Sequence, residues 1–438
     1  MRDDDPTGLW ARDCQALWHP YTRASTIAAG PLPIIVRGEG VYLYDIAGRR
    51  YFDAISSWWA CALGHGRPEV VEAIRRQAGQ LQHSILGNLT HPPAIELAAR
   101  LAALCGGNRK VLFASDGSSA VEAALKIAVQ YQANTGNPRK HRLVSLEQAY
   151  HGDTIGAMSV GYLEHFHAPY KALLTPVLRA ESPCCGTCAH GLVPPACGHR
   201  CFDSMRAIIE GHADELAAVI VEPLCQAAAG MRIYDPGYLR LLAETCRRHD
   251  VLLIVDEIAM GFGRTGTMFA FEQAGIDPDI LCVGKGLSAG YLPISATVVK
   301  DAIATTFRDE PDDHTLYHGH TFTGNPIAAA AALAVLDIYA HDRIPDLAAA
   351  HGRELAAGIA RVRGHPAVRN VRTLGMIAAV ELKPAAGRPA RIRDFMRDNG
   401  ILVRPLGDVI YFMPPLVTPD DVTRSAVDIL ATALSVVA

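Results

Sequence analysis

The stretch DILCVGKGLSAGYLP, residues 279–293, decides how the rest of the chain is read. Ile280 to Val283 is a short apolar run, the pattern of a buried strand. It stops at Gly284, and Lys285 then stands between two glycines. A lysine is rarely buried, because desolvating its ammonium costs free energy unless the charge is paired or lost. Glycines on both sides let backbone or a ligand come close. Only seven of the 41 basic residues are lysines, which argues against an incidental one at a glycine-lined strand end.

Outward from this point, apolar strands alternate with helix-like stretches over residues 110 to 300. VLFAS (111–115), RLVSLE (142–147), LAAVIVEPL (216–224), VLLIVDE (251–257) and SATVVK (295–300) read as further strands. SSAVEAALKIAVQYQ and Tyr238 to Arg248 have helical periodicity. Near-continuous apolar strands with helical crossovers imply a mainly parallel α/β sheet covered on both faces. Ligands of such sheets bind beyond the strands' carboxyl ends. Three exits carry suggestive residues: Asp116-Gly117-Ser118, Asp256-Glu257 and Gly284-Lys285. A smaller α+β domain is expected to follow. It comprises an alanine-rich helix, a helix from Ile344 to Val362, the strand MIAAVEL, a helix from Ile392 and two short strands. Thr418 is the expected N-cap of the last helix, with Pro419 at its first position. VRGEGVYLYDIAGRRYFD reads as a hairpin. The expected division is 1–58 (packing with the small domain), 59–330 (large, cofactor-binding) and 331–438 (small).

The chain has 438 residues, a formal net charge of −4, 50% hydrophobic and 20% charged residues. That balance fits a globular protein and speaks against a nucleic-acid partner. Residues 1–8, MRDDDPTG, lack a signal-peptide pattern, and no apolar run approaches a bilayer span. A cytoplasmic protein with no membrane association is expected. Cys14, Cys61, Cys105, Cys225, Cys246 and Cys282 read as small core residues. Five more crowd into ESPCCGTCAHGLVPPACGHRC. Cys185-x2-Cys188 and Cys197-x-His199-x-Cys201 supply ligands enough for tetrahedral zinc, though at no standard finger spacing; a structural metal or redox clip is one reading, reduced thiols in a loop are preferred, and no metal is assigned.

Asp256 and Lys285 together fit one demanding chemistry. Pyridoxal phosphate is held as a lysine Schiff base while an aspartate pairs with its pyridine nitrogen. The free lysine pKa is about 10.4, so a neutral amine near pH 7 needs a shift of roughly three units, about 4 kcal/mol. Each residue alone has a plainer reading, a cap or an Arg264 ion pair. Gly117 and Ser118 could present amides to the phosphate at a helix N-terminus, or the turn could be a simple N-cap. GFGRTG (261–266) matches a dinucleotide fingerprint literally. It does not directly follow a strand or open a helix, which disfavours a nicotinamide-dependent oxidoreductase.

Several longer stretches add to this. They are HPYT (19–22), SSWWACALGHGRPEV (56–70), SDGSSAVEAALK (115–126), YHGDTIGAMSV (150–160), LLIVDEIAMGFGRTG (252–266), GHTFTGNP (319–326) and RPLGDVIYFMPP (404–415). Together the chain resembles, over nearly its whole length, the class III pyridoxal-phosphate aminotransferases of fold type I. The resemblance implies a homodimer with shared active sites. It implies that Lys285 and Asp256 are catalytic, with Gly117, Ser118, Tyr150, His320 and Thr321 also holding the cofactor. Thr321 would reach the neighbouring subunit's phosphate. Tyr21, Trp58, Tyr150, Lys285, Gly319, Arg404 and Tyr411 would bind substrate, with Asp153 in support and Trp59 a packing residue. The implied reaction converts 8-amino-7-oxononanoate to 7,8-diaminononanoate, with S-adenosylmethionine or lysine as donor, in biotin biosynthesis. An ω-amino-acid or diamine transaminase, or an aminomutase, is the alternative within the family.

Overall fold

Among the described residues seven strands form the central sheet, and the three innermost explain its position. Leu216–Val221, Leu252–Asp256 and Ile280–Val283 are buried at every residue. They run parallel and adjacent, with Ile254 opposite both Ile220 and Ile280. Successive side chains in a strand point to opposite faces. Accordingly Ile220, Leu252, Ile254, Ile280 and Cys282 pack with the helix Gly117–Asn134 on one face. Val219, Val221, Leu253, Val255, Leu281 and Val283 join the larger core on the other. Arg142–Leu146 and Leu178–Ala180 extend the parallel part. Ser295–Lys300 is antiparallel to both its neighbours, Ile280–Val283 and Arg109–Ala114. Arg109–Ala114 therefore points the same way as the parallel strands. Its exit at Gly117, that of Leu252–Asp256 and that of Ile280–Val283 open at one edge.

The computed structural model describes residues 5–194 and 196–437; residues 1–4, which begin the acidic opening stretch, Pro195 and Ala438 lie outside them. The expected hairpin is a three-stranded meander, Ile35–Glu39, Tyr42–Asp45 and Arg50–Asp53. Its last strand pairs in parallel with Ile401–Leu402. Val41, Phe52 and Ala54 thereby enter a second core with Leu355, Ile392, Ile410 and Leu430. Val368–Leu374, Ile377–Leu382 and Val409–Phe412 make a separate antiparallel sheet.

Two local expectations are corrected. The last helix begins at Asp420, and the Thr418 hydroxyl donates to the Pro415 carbonyl instead of capping the helix. Cys14 is exposed, because the helix Pro6–Ala16 buries none of its residues. Cys61 is half-buried. Among the described residues no helix is long and apolar enough to cross a membrane.

Candidate active site

Asp256 closes its strand beside Cys282, two residues before Gly284. The strand burial that put it there leaves its carboxylate 5% exposed. One oxygen accepts from the Ile258 amide at 3.1 Å, the other from His151 Nδ1 at 2.7 Å. His151 is buried and its Nε2 has no partner among the described residues. Neither Asp256 nor Glu257 pairs with Arg264, as the plainer reading had it. Glu257 instead accepts from the Ala270 and Phe271 amides. Arg264 donates to the Met376 and Pro414 carbonyls and to Ser56 Oγ. The GFGRTG segment is therefore a structural turn and opens no nucleotide-binding helix.

Lys285 follows its strand at φ 41°, keeping part of its side chain open to the pocket. Its amine lies deep and 5.3 Å from the centre of the Trp59 ring. Burial lowers its pKa, and the Asp256 and Glu222 carboxylates only partly oppose this. Glu222 is pushed up to about 7 by its own burial, against hydrogen bonds from the Tyr150 and Ala227 amides. An acid shifted up and a base shifted down in one cleft mark a catalytic environment.

Two chambers meet at Lys285, Tyr150 and Trp59. The inner is lined by Gly117, Ser118, His151, Glu222 and Asp256. Asp116 caps the helix Gly117–Asn134 through the Ser119 amide and hydroxyl. The amides of Gly117 and Ser118, at its first two positions, have no carbonyl within the helix to bond. The cap and the anion cradle thus coexist. Gly152, at φ +124°, leaves room for this cradle, since an added Cβ would stand 2.0 Å from Ser118 Oγ. An amine, a buried carboxylate held by an imidazole, and free helix-terminal amides suit a cofactor with an aldehyde, a basic ring nitrogen and a phosphate.

The outer chamber is walled by Tyr21, Trp58 and Phe166 and reaches Arg404. The Arg404 guanidinium lies 4.3 Å from the Trp58 ring centre, and no carboxylate pairs with it among the described residues. Asp153 accepts from Tyr21 at 2.6 Å and Tyr150 at 3.0 Å. Burial would raise its pKa, but hydrogen bonds from His167, Tyr21 and Tyr150 hold it below the usual carboxylate range. Trp59, read from sequence as packing, is buried and also lines both chambers. Tyr411 does not line them. It is fully buried behind Trp59, whose Nε1 donates to its hydroxyl at 3.1 Å.

The tryptophans sit on an unusual turn. Ser56, Ser57, Trp58 and Trp59 have φ of 48, 45, 71 and 71°. The turn is closed by Trp59 N to Ile55 O and Ala60 N to Ser56 O. Left-handed backbone costs an L-residue roughly 1–2 kcal/mol, and non-glycine residues seldom adopt it consecutively.

Gly319, His320 and Thr321 are exposed and line neither chamber. Cys184, Cys185, Cys188, Cys197 and Cys201 line a separate cavity, where burial pushes the Cys185 thiol up to about 11 and Cys201 to about 12. Among the described residues no three His, Cys, Asp or Glu side chains gather as they would around a metal ion. Sequence reasoning missed His151, Glu222 and Phe166. His151 adjoins the quoted Tyr150, but nothing local tells that its ring faces Asp256, 105 residues on.

A lysine at a parallel-sheet edge, backed by a buried aspartate and facing an anion cradle, defines a pyridoxal-phosphate-dependent transferase of fold type I. The chain belongs to the class-III aminotransferase family, whose model matches residues 26–434. It is a transaminase of a family that works with pyridoxal phosphate. It is 42% identical over 422 residues to adenosylmethionine-8-amino-7-oxononanoate aminotransferase of Nitratidesulfovibrio vulgaris, covering 93% of this chain and 78% of that protein. The crystal structure of the enzyme of the same name from Methanocaldococcus jannaschii superposes with a TM-score of 0.93 at 36% identity, over 98% of this chain and 99% of that one. An amine transaminase from an uncultivated Pseudomonas species, in its PLP-bound form, gives 0.92 at 35%, over 97% and 99%.

Proposed function

We propose that the chain transfers an amino group to 8-amino-7-oxononanoate, giving 7,8-diaminononanoate for biotin synthesis, with S-adenosylmethionine or lysine as donor. The observation that carries this is Arg404, a guanidinium with no carboxylate partner among the described residues, in an aromatic-walled chamber that opens onto Lys285. Such a chamber suits a long apolar chain ending in a carboxylate. The names of the Nitratidesulfovibrio and Methanocaldococcus relatives point the same way.

Pyridoxal phosphate, when bound, supplies the electron sink that makes a substrate Cα–H acidic. The chain's own residues do the rest. Lys285, its ammonium disfavoured by burial, takes the Cα proton and returns it. Asp256, oriented by His151, would be the carboxylate that accepts from the protonated ring nitrogen. The Gly117 and Ser118 amides would hold the phosphate, and Tyr150, which lines the same chamber, would lie beside the ring. Tyr21 and Trp58 wall the substrate, and Tyr411 steadies Trp59 from behind. Two copies form a homodimer in the cytoplasm, and Gly319, His320 and Thr321 of each complete the other's site. Exposed Tyr317 (79%) and Phe322 (60%) beside them support this reading. In each copy residues 59–330 form the cofactor domain, and 1–58 pack with 331–438.

The test supplies 8-amino-7-oxononanoate with each donor separately and looks for the diamine. Parallel initial-rate lines are expected, because both substrates use one pocket in turn. Intersecting lines would count against it. The similarity to the Pseudomonas amine transaminase favours one other reading, a broader amine or ω-amino-acid transaminase. Activity on 4-aminobutyrate or ornithine, with none on the oxononanoate, would establish that instead.

A further inference from the structure

The left-handed turn Ser56–Trp59 carries two walls of the site, yet its own sequence gives it no glycine. Something outside the turn must select it. Asp53, at the end of the strand Arg50–Asp53, supplies the principal anchor. One carboxylate oxygen accepts from the Ser57 amide at 2.9 Å, the other from the Ser57 hydroxyl at 2.7 Å. The second oxygen also meets His65 Nε2 at 3.0 Å. The Asp53 side chain is 1% exposed and that of His65 13%, so this pair is shielded from solvent. Burial alone would lower the His65 pKa, but the hydrogen bond to the Asp53 carboxylate leads the influences that raise it to about 9. Its own place is fixed by backbone bonds in both directions with Gly40 and by Gly38, where a Cβ would strike the ring at 2.8 Å.

We propose that Asp53 and His65 are positioning residues for the amino-transfer reaction, holding Ser57 left-handed so that Trp58 and Trp59 face the substrate and Lys285. Neither residue lines the chambers, so each acts only through the turn. The proposal rests on the transaminase reading for its kinetic arm, while its structural arm stands alone.

Asp53→Ala is expected to lower kcat/KM for the amino acceptor at least tenfold while the cofactor's visible absorption band persists. Amide exchange of Trp59 and Ala60, bonded inside the turn, should accelerate at least tenfold. A second change, Ser57→Gly, frees that position from the left-handed penalty. In the Asp53→Ala background it should recover at least threefold of the lost kcat/KM, which a merely structural role for Asp53 does not predict. Asp53→Asn and His65→Asn provide milder variants if the alanine protein does not fold, and each should show a smaller loss of the same kind. Exchange and kcat/KM within twofold of wild type in folded variants, or no recovery with Ser57→Gly, overturns the proposal. A wild-type protein without transaminase activity sinks the functional reading instead, and exchange at Trp59 and Ala60 then decides the turn by itself.

Discussion

Lys285 meets two opposed demands, since the burial that makes its amine useful also makes its charge costly. Its folded pKa lies below the unfolded value. Between the two the unfolded chain binds more protons, so this residue's contribution to stability rises with pH. Lys285→Met should therefore raise the melting temperature of the cofactor-free protein most near and below neutrality. The gain should fade toward pH of about 10.4. The variant should lose transamination by about 10²–10⁴-fold or more. Thermal unfolding from pH 6 to 10 reads the first effect, and a variant less stable throughout would show that burial is not the dominant influence. At Arg404 the loss is one of binding. Arg404→Leu should raise KM for the carboxylate-bearing acceptor about 10–100-fold, the worth of one charge-assisted hydrogen bond, with kcat changed far less. Steady-state rates on the acceptor and on a substrate lacking the carboxylate separate the two.

At the scale of elements, the site depends on where strands end and a helix begins. The cradle at the start of Gly117–Asn134 survives because Gly152 passes close to Ser118 at a left-handed φ. Gly152→Ala forces its Cβ into Ser118 and strains its own backbone, at a cost of about 1–3 kcal/mol. Cofactor affinity should fall by about 5- to 140-fold by titration of the visible band, at 1.4 kcal/mol per decade. Unchanged affinity would remove Ser118 from the cradle. These elements were legible in the sequence because near-continuous apolar runs leave a fully buried strand few alternatives. The left-handed turn was not legible. SSWW carries no glycine, and its conformation is held by the buried Asp53 carboxylate just before it and by Arg264 from far along the chain.

Over the whole molecule, distant segments are joined by buried polar contacts. Arg264 reaches from the central-sheet region to the Met376 and Pro414 carbonyls. Arg264→Met leaves both without their donor, and at roughly 1–3 kcal/mol per buried group the variant should unfold at clearly lower urea. The shared-site reading is tested by mixing. Lys285→Ala and Thr321→Ala subunits should each be impaired alone. Coexpressed, they should regain activity, because one site of a mixed dimer then has both residues intact. No recovery, with mixed dimers present by mass, would place Thr321 outside the neighbour's site.

The sequence by itself determined the α/β architecture, the strand exits and the lysine–aspartate pair, since burial periodicity and the high cost of isolated charge are local, chemically specific signals. It pointed to Tyr21, Trp58, Tyr150 and Arg404 only through whole motifs; Trp59 packs as expected but also lines the chambers, and Tyr411 stands behind them. That both adjacent indoles face the pocket depends on backbone handedness, which Asp53 holds from four residues away and Arg264 from far along the chain. Only the tertiary structure decided that His151 backs Asp256, that Trp59 lies against Lys285, and that Tyr411 stands behind it. Those pairings depend on how layers stack, and no local spacing records which side chains will meet.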